Sequence, residues 1–162
     1  MDWREVIENP SLRNLPFKIE TNEWGQIVMT PATVRHSKYQ GLIIEWFHRL
    51  GEWGRVFPEL GIQTSDGVKV ADVVWGTEEF FKRNKGDIPY FVESPEIVVE
   101  VKSASNTVEE MESKKGLYLE KGAREVWFCD KEGDMHFFNI HGRLSRSELF
   151  KEFPRHIDID FI

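Results

Sequence analysis

Three side chains in two apolar runs could do chemistry together. Glu100 and Lys102 stand two residues apart in Pro95–Lys102 (PEIVVEVK), and Asp72 is the one acid within Val68–Trp75 (VKVADVVW). Both runs read as strands. Alternation puts Glu100 and Lys102 on one face beside Val98, and Val99 and Val101 on the other. An acid in a β-branched run is expensive to bury unless it is paired or binds a cation. If the two strands lie side by side, two carboxylates and an ammonium converge on one point. Hard carboxylate oxygens suit Mg²⁺ or Mn²⁺, and magnesium takes few protein carboxylates and keeps several waters. Such a metal polarises a phosphoryl oxygen and lowers the pKa of bound water, while a lysine orients that water or stabilises the growing charge. That is the equipment of a divalent-metal phosphodiesterase. Taken singly, each residue also fits a Glu–Lys pair on an exposed sheet face with Asp72 capping a turn; the metal site is the reading of the ordered set.

Around these runs the sequence predicts a short helix over 2–8, stopped by Asn9-Pro10, and a hairpin of 17–20 and 26–29 around a turn-rich 21–25. A helix over about 36–50 follows from the spacing of Tyr39, Leu42, Ile43, Trp46 and Leu50, ended by Gly51 and Gly54. Strands over 55–64 and 68–75 meet at Ser65-Asp66-Gly67. Residues 76–94 read as a loop with one helical turn at 78–83, and a second long helix spans 107–121, closed by Gly122. Strands over 125–130 and 135–139 come next, then a tail of strand-like and irregular pieces. This order implies a central mixed sheet with helices packed on it. On the second long helix Val108, Met111, Tyr118 and Leu119 share an arc, with Lys115 inside it and Lys114 at its edge. A lysine beside an apolar stripe must snorkel or find an acid, and Glu110, one turn earlier, is the local candidate for Lys114. His36 falls at the edge of the buried arc of its helix. It reads either as a partner of the site or a proton carrier, or as a helix-start histidine satisfied locally.

The 162 residues suit one domain, 1–162, with a substantial core, and 40% hydrophobic with 30% charged content is ordinary for a globular protein. No apolar run approaches a membrane span, the first residues lack a signal-peptide profile, and the lone Cys129 excludes an internal disulfide or a multi-cysteine zinc site. These features predict a cytoplasmic protein. A net charge of −7 counts against a general nucleic-acid binder, although a local groove matters more than the total. Lys82, Arg83 and Lys85, and Lys114, Lys115 and Lys121, are the local basic clusters; both also fit solvated surface. No Gly-rich phosphate loop, His-x-x-x-His pair or Ser-His-Asp set is present. The aromatic residues read mainly as core, with a few in 76–94 able to stack on bases.

Asp72 followed by Glu100-Val101-Lys102 resembles the D…(D/E)-x-K signature of the PD-(D/E)XK nuclease superfamily. The longer run Pro95–Thr107 (PEIVVEVKSASNT), then Lys114, Tyr118, Gly122 and Glu125-Val126-Trp127, is similar to its Uma2 (DUF820) branch. Asp2–Glu5 and Pro31…His36 fit the same group, so the resemblance covers nearly the whole chain. It implies an α/β (α+β) fold with a restriction-endonuclease-like core: a central mixed β-sheet flanked by helices, an N-terminal helix and β-hairpin, and the acid-bearing strands adjacent. It implies a Mg²⁺- or Mn²⁺-dependent endonuclease acting on nucleic acid, DNA foremost, and a homodimer. Asp72, Glu100 and the backbone carbonyl of Val101 would be metal ligands, with Lys102 catalytic and Lys114 in support, the latter through its spacing to Tyr118. An accessory acid would be Glu20, which matches a Glu in the Uma2 opening, or Glu45, on the first core helix. Two features bear on the pattern: Ala71 stands where a proline usually precedes the first acid, and many relatives have leucine in place of Lys102. The rival expectation is an inactive interaction or scaffold protein that keeps the fold.

Overall fold

The structure, a computed structural model, describes residues 1–51 and 53–162. Helix α1 (Trp3–Glu8) starts at a capping box in which Asp2 accepts from the Glu5 N–H and Glu5 accepts from the Asp2 N–H. After a 3₁₀ turn at Pro10–Leu12, β1 (Phe17–Thr21) and β2 (Ile27–Pro31) form an antiparallel hairpin in register Glu20↔Val28. Helix α2 (Val34–Leu50) begins two residues before the expected start, because the Thr33 side chain caps it by accepting from the His36 N–H.

β3 (Gly54–Thr64) and β4 (Gly67–Thr77) are long antiparallel partners joined at Gly67, whose φ of +81° is a conformation L side chains rarely adopt. α3 (Glu78–Arg83) is the helical turn expected in that loop. β5 (Ile97–Val101) is buried along its whole length. It leads to α4 (Val108–Glu120), which a Thr107/Glu110 capping box opens and Gly122, at φ +102°, follows. β6 (Glu125–Cys129), β7 (Met135–Asn139) and β8 (Gly142–Leu144) complete a six-stranded sheet in the order β3-β4-β5-β6-β7-β8. Only β5 and β6 run parallel, with α4 as their crossover.

Alternation along the buried strands divides the core. Val73, Trp75, Ile97, Val99 and Trp127 face α2 (Ile43, Phe47) and the C-terminal aromatics Phe150 and Phe153. Val74, Val98, Val126 and Phe128 face α4 (Met111, Tyr118). The mixed sheet between helices, with N-terminal helix and hairpin, is the architecture expected from the sequence.

Two irregularities shape one end of the sheet. The β4–β5 ladder covers only Val73↔Val99, Val74↔Val98 and Trp75↔Ile97. Extending that register sets Asp72 across from Glu100, but there the Val101 N–H turns to the Asp72 side chain instead. On the other side of β4, pairing steps from Pro58↔Val73 to Leu60↔Ala71, and the skipped Glu59 sits at φ +52°. The strands therefore part where the two acids stand.

Candidate active site

Asp72 and Glu100 are almost wholly buried, at 1% and 3% exposure. Each has one oxygen held by fixed donors. Asp72 Oδ2 accepts from the Val101 N–H at 2.7 Å and lies 3.2 Å from His36 Nε2. Glu100 Oε1 accepts from the Tyr118 hydroxyl at 2.6 Å and from Lys114 Nζ at 3.5 Å. Their other oxygens meet on a single positive charge. Lys18 Nζ, from β1, stands 3.0 Å from Asp72 Oδ1 and 3.3 Å from Glu100 Oε2. Behind this pair Glu20, also on β1 and 4% exposed, receives Lys114 Nζ at 2.9 Å and the Val70 N–H at 2.7 Å. Gln40, one turn beyond His36, donates to the Asp72 carbonyl at 2.8 Å.

Three elements make this convergence. β1 crosses the β4 segment that β5 leaves uncovered: Thr21 Oγ1 accepts the Val68 N–H, and Lys69 Nζ donates to the Thr21 carbonyl. The first turns of α2 bring His36 and Gln40 from one side, and α4 brings Lys114 and Tyr118 from the other. The site opens into a cleft of about 440 Å³, whose lining includes Lys18, His36, Gln40, Asp72, Val101 and Lys114.

The electrostatics drive the two acids apart. Burial opposes the Asp72 charge, but the Lys18 ammonium and the His36 hydrogen bond outweigh it and hold the carboxyl below the usual range. Burial dominates at Glu100 and raises its pKa, despite Lys114 and Lys18. Lys18 itself is held above the ordinary lysine value, because Glu100, Asp72 and Glu20 outweigh the penalty of burial. The hydrogen bond to Asp72 raises His36 against the opposing effect of burial. Burial and the neighbouring Glu100 push the Tyr118 phenol upward, so it stays a donor.

Of the residues singled out in the sequence, Asp72, Glu100, Lys114, Glu20, His36, Tyr118 and Val101 meet here. Lys114 pairs with Glu20 and Glu100 rather than with Glu110, whose side chain completes the α4 cap. Val101 reaches Asp72 through its N–H. Lys102 does not join them. Among the described residues its side chain makes no ion pair, and it does not line the cleft although its neighbours Val101 and Ser103 do; β5 ends at Val101, so Lys102 is not aimed at the acids by the strand. Glu45 also lies elsewhere, paired with Arg49 at 2.6 Å and half exposed. Lys18 is the residue that sequence reasoning missed. Its signal was present: Lys18 and Glu20 are two apart in a strand, the same spacing as Glu100 and Lys102.

The donor set fits a hard divalent cation. Two carboxylate oxygens, buried and pre-aimed by fixed donors, already share one positive charge. Among the described residues no three His, Cys, Asp or Glu side chains form a metal cage, so a cation here would keep several waters, as magnesium does.

A mixed central sheet between helices, with an N-terminal helix and hairpin, is a restriction-endonuclease-like fold. Residues 12–154 match the Uma2 family, described as "Putative restriction endonuclease", and the chain belongs to that family. The crystal structure of a "putative nuclease belonging to DUF820" from Anabaena variabilis ATCC 29413 shares the fold. Its TM-score is 0.69 at 18% identity, over 86% of this chain and 79% of that one. A cryoEM structure of a DrdV–DNA complex aligns with a TM-score of 0.45 at 15% identity, over 72% of this chain and 11% of that chain. No curated protein matches the chain.

Proposed function

We propose that the chain is a Mg²⁺- or Mn²⁺-dependent endonuclease that hydrolyses phosphodiester bonds in nucleic acid, with DNA as the first substrate to test. The observation that carries this reading is the convergence of Asp72 Oδ1 and Glu100 Oε2 on the single ammonium of Lys18, which lines a cleft. Family membership supports it. Asp72 and Glu100 would hold the metal, which when bound supplies Lewis acidity and an acidified water. Tyr118 and Lys114 fix Glu100, while His36 and the Val101 N–H fix Asp72, so neither acid reorganises as charge develops. The charge-stabilising role that the sequence assigned to Lys102 falls in this geometry to Lys18 and Lys114, the two lysines lining the cleft. Hydrolysis then adds water at phosphorus and releases the ester oxygen with a proton. The cleft offers few cations, which matches a substrate gripped through few phosphates.

The test is calorimetric titration with Mn²⁺, beside cleavage of plasmid and single-stranded DNA, for wild type, Asp72→Asn and Glu100→Gln. Wild type should bind saturably and cut. Both variants should lose cleavage by at least about 100-fold and lose metal binding while still melting cooperatively. Cutting by both variants at the wild-type rate would refute the assignment. The same Lys18 ammonium also favours a second reading, an interaction protein that keeps the fold with its acids permanently neutralised. That reading requires no saturable binding at millimolar metal.

A further inference from the structure

We infer that Lys18 holds the place of the divalent cation in the metal-free protein and must leave it when the metal binds, so that this lysine sets the metal affinity of the site. The inference rests on the nuclease reading and goes beyond it by assigning the site a built-in competitor. Lys18 Nζ is hydrogen-bonded to both acids at once, through the two oxygens that no fixed donor occupies. Every other partner of the acids touches the opposite oxygens: His36 and the Val101 N–H on Asp72 Oδ2, Tyr118 and Lys114 on Glu100 Oε1. A dication on Asp72 Oδ1 and Glu100 Oε2 would occupy the space of the ammonium, and two positive charges at contact distance repel strongly in a buried site.

Lys18 has somewhere to go. Its side chain is 15% exposed, lines the cleft, and rises from the hairpin rather than from the central sheet. Swinging outward moves the ammonium into the open cleft without disturbing β4 or β5. Lys114 has its own carboxylate in Glu20, at 2.9 Å, so that ion pair can persist when Lys18 moves. Lys18 is thus a specificity-determining residue. By keeping the two acids neutralised it makes the site select a divalent ion, strong enough to evict an ammonium, over monovalent ions.

The experiment compares Mn²⁺ binding by calorimetry in wild type and Lys18→Gln, with thermal melting in chelator and in saturating Mn²⁺. Lys18→Gln should bind Mn²⁺ at least about 10-fold more tightly. It should melt below wild type in chelator and recover most of that deficit when the metal is added. Equal or weaker binding by Lys18→Gln, with wild type still binding, overturns the inference and leaves the nuclease reading standing. Absence of binding in both overturns the two together. Should Lys18→Gln fail to fold, wild type alone decides. Amine-reactive labelling followed by mass spectrometry should find Lys18 protected in chelator and several-fold more reactive in saturating Mg²⁺; labelling that Mg²⁺ leaves unchanged overturns the inference.

Discussion

At the scale of single residues, the centre is a balance of buried charges. Asp72 and Glu100 are too deeply buried to stand ionised without counter-charges, and Lys18, Lys114 and His36 supply them. The His36–Asp72 pair gives a pH signature. The folded pKa of His36 is raised above its ordinary 6.5 by the bond to Asp72. The stability this contributes is complete below the unfolded value and is lost as pH rises through the folded one. In metal-free buffer, wild type should therefore exceed His36→Gln by about 1 kcal/mol at and below pH 6, with the gap closing toward pH 9. Urea unfolding of both proteins across that range measures it, and a gap that widens with pH would contradict the pairing.

At the scale of elements, the hairpin is the decisive part. β5 is short, and β4 runs on past it. β1 serves that uncovered stretch with side chains: Thr21 Oγ1 takes the Val68 N–H at 2.9 Å and Glu20 takes the Val70 N–H at 2.7 Å. This docking aims Lys18 at the acids. Thr21→Val keeps the shape but strands the buried Val68 N–H. It should cost about 1–3 kcal/mol in denaturant unfolding, and Thr21→Ser, which keeps the acceptor, should cost much less. A larger loss in Thr21→Ser than in Thr21→Val would show that the methyl group, not the hydrogen bond, anchors the hairpin.

On the scale of the whole molecule, the two sheet faces divide the work. Glu100 lies toward α4, and Asp72 stands at the cleft end of the sheet where the first turns of α2 reach it. The opposite face carries the larger aromatic core, where Phe47 stacks on Trp127 at 5.1 Å. There the buried Glu125 collects the Trp127 Nε1–H, the Ser147 hydroxyl and the N–H groups of Glu148 and Leu149, which pins the C-terminal segment. Glu125→Ala would leave four donors without their acceptor and should lower unfolding stability by at least about 3 kcal/mol. The Mn²⁺ affinity of the folded fraction should be unchanged; a joint loss of both would mean that the faces are coupled. No helix among the described residues is long and apolar enough to cross a membrane.

Sequence alone determined β1 to β7, the helices α1 to α4 and the face on which Glu100 lies, because period-two and helical alternation are local properties set by which side chains tolerate burial. It also singled out Asp72 and Glu100, since an acid in an apolar strand stands out wherever the strand packs. Which lysine meets them was decided only by the tertiary structure. Lys102 is two residues from Glu100, yet it lies beyond the end of β5, where the strand geometry that would aim it stops. Lys18 is 54 residues from Asp72 and 82 from Glu100 and arrives only because β1 crosses the uncovered part of β4. Ion pairs follow distance in space, and that distance depends on where a ladder ends and what packs over the gap, neither of which is written in any local stretch of chain.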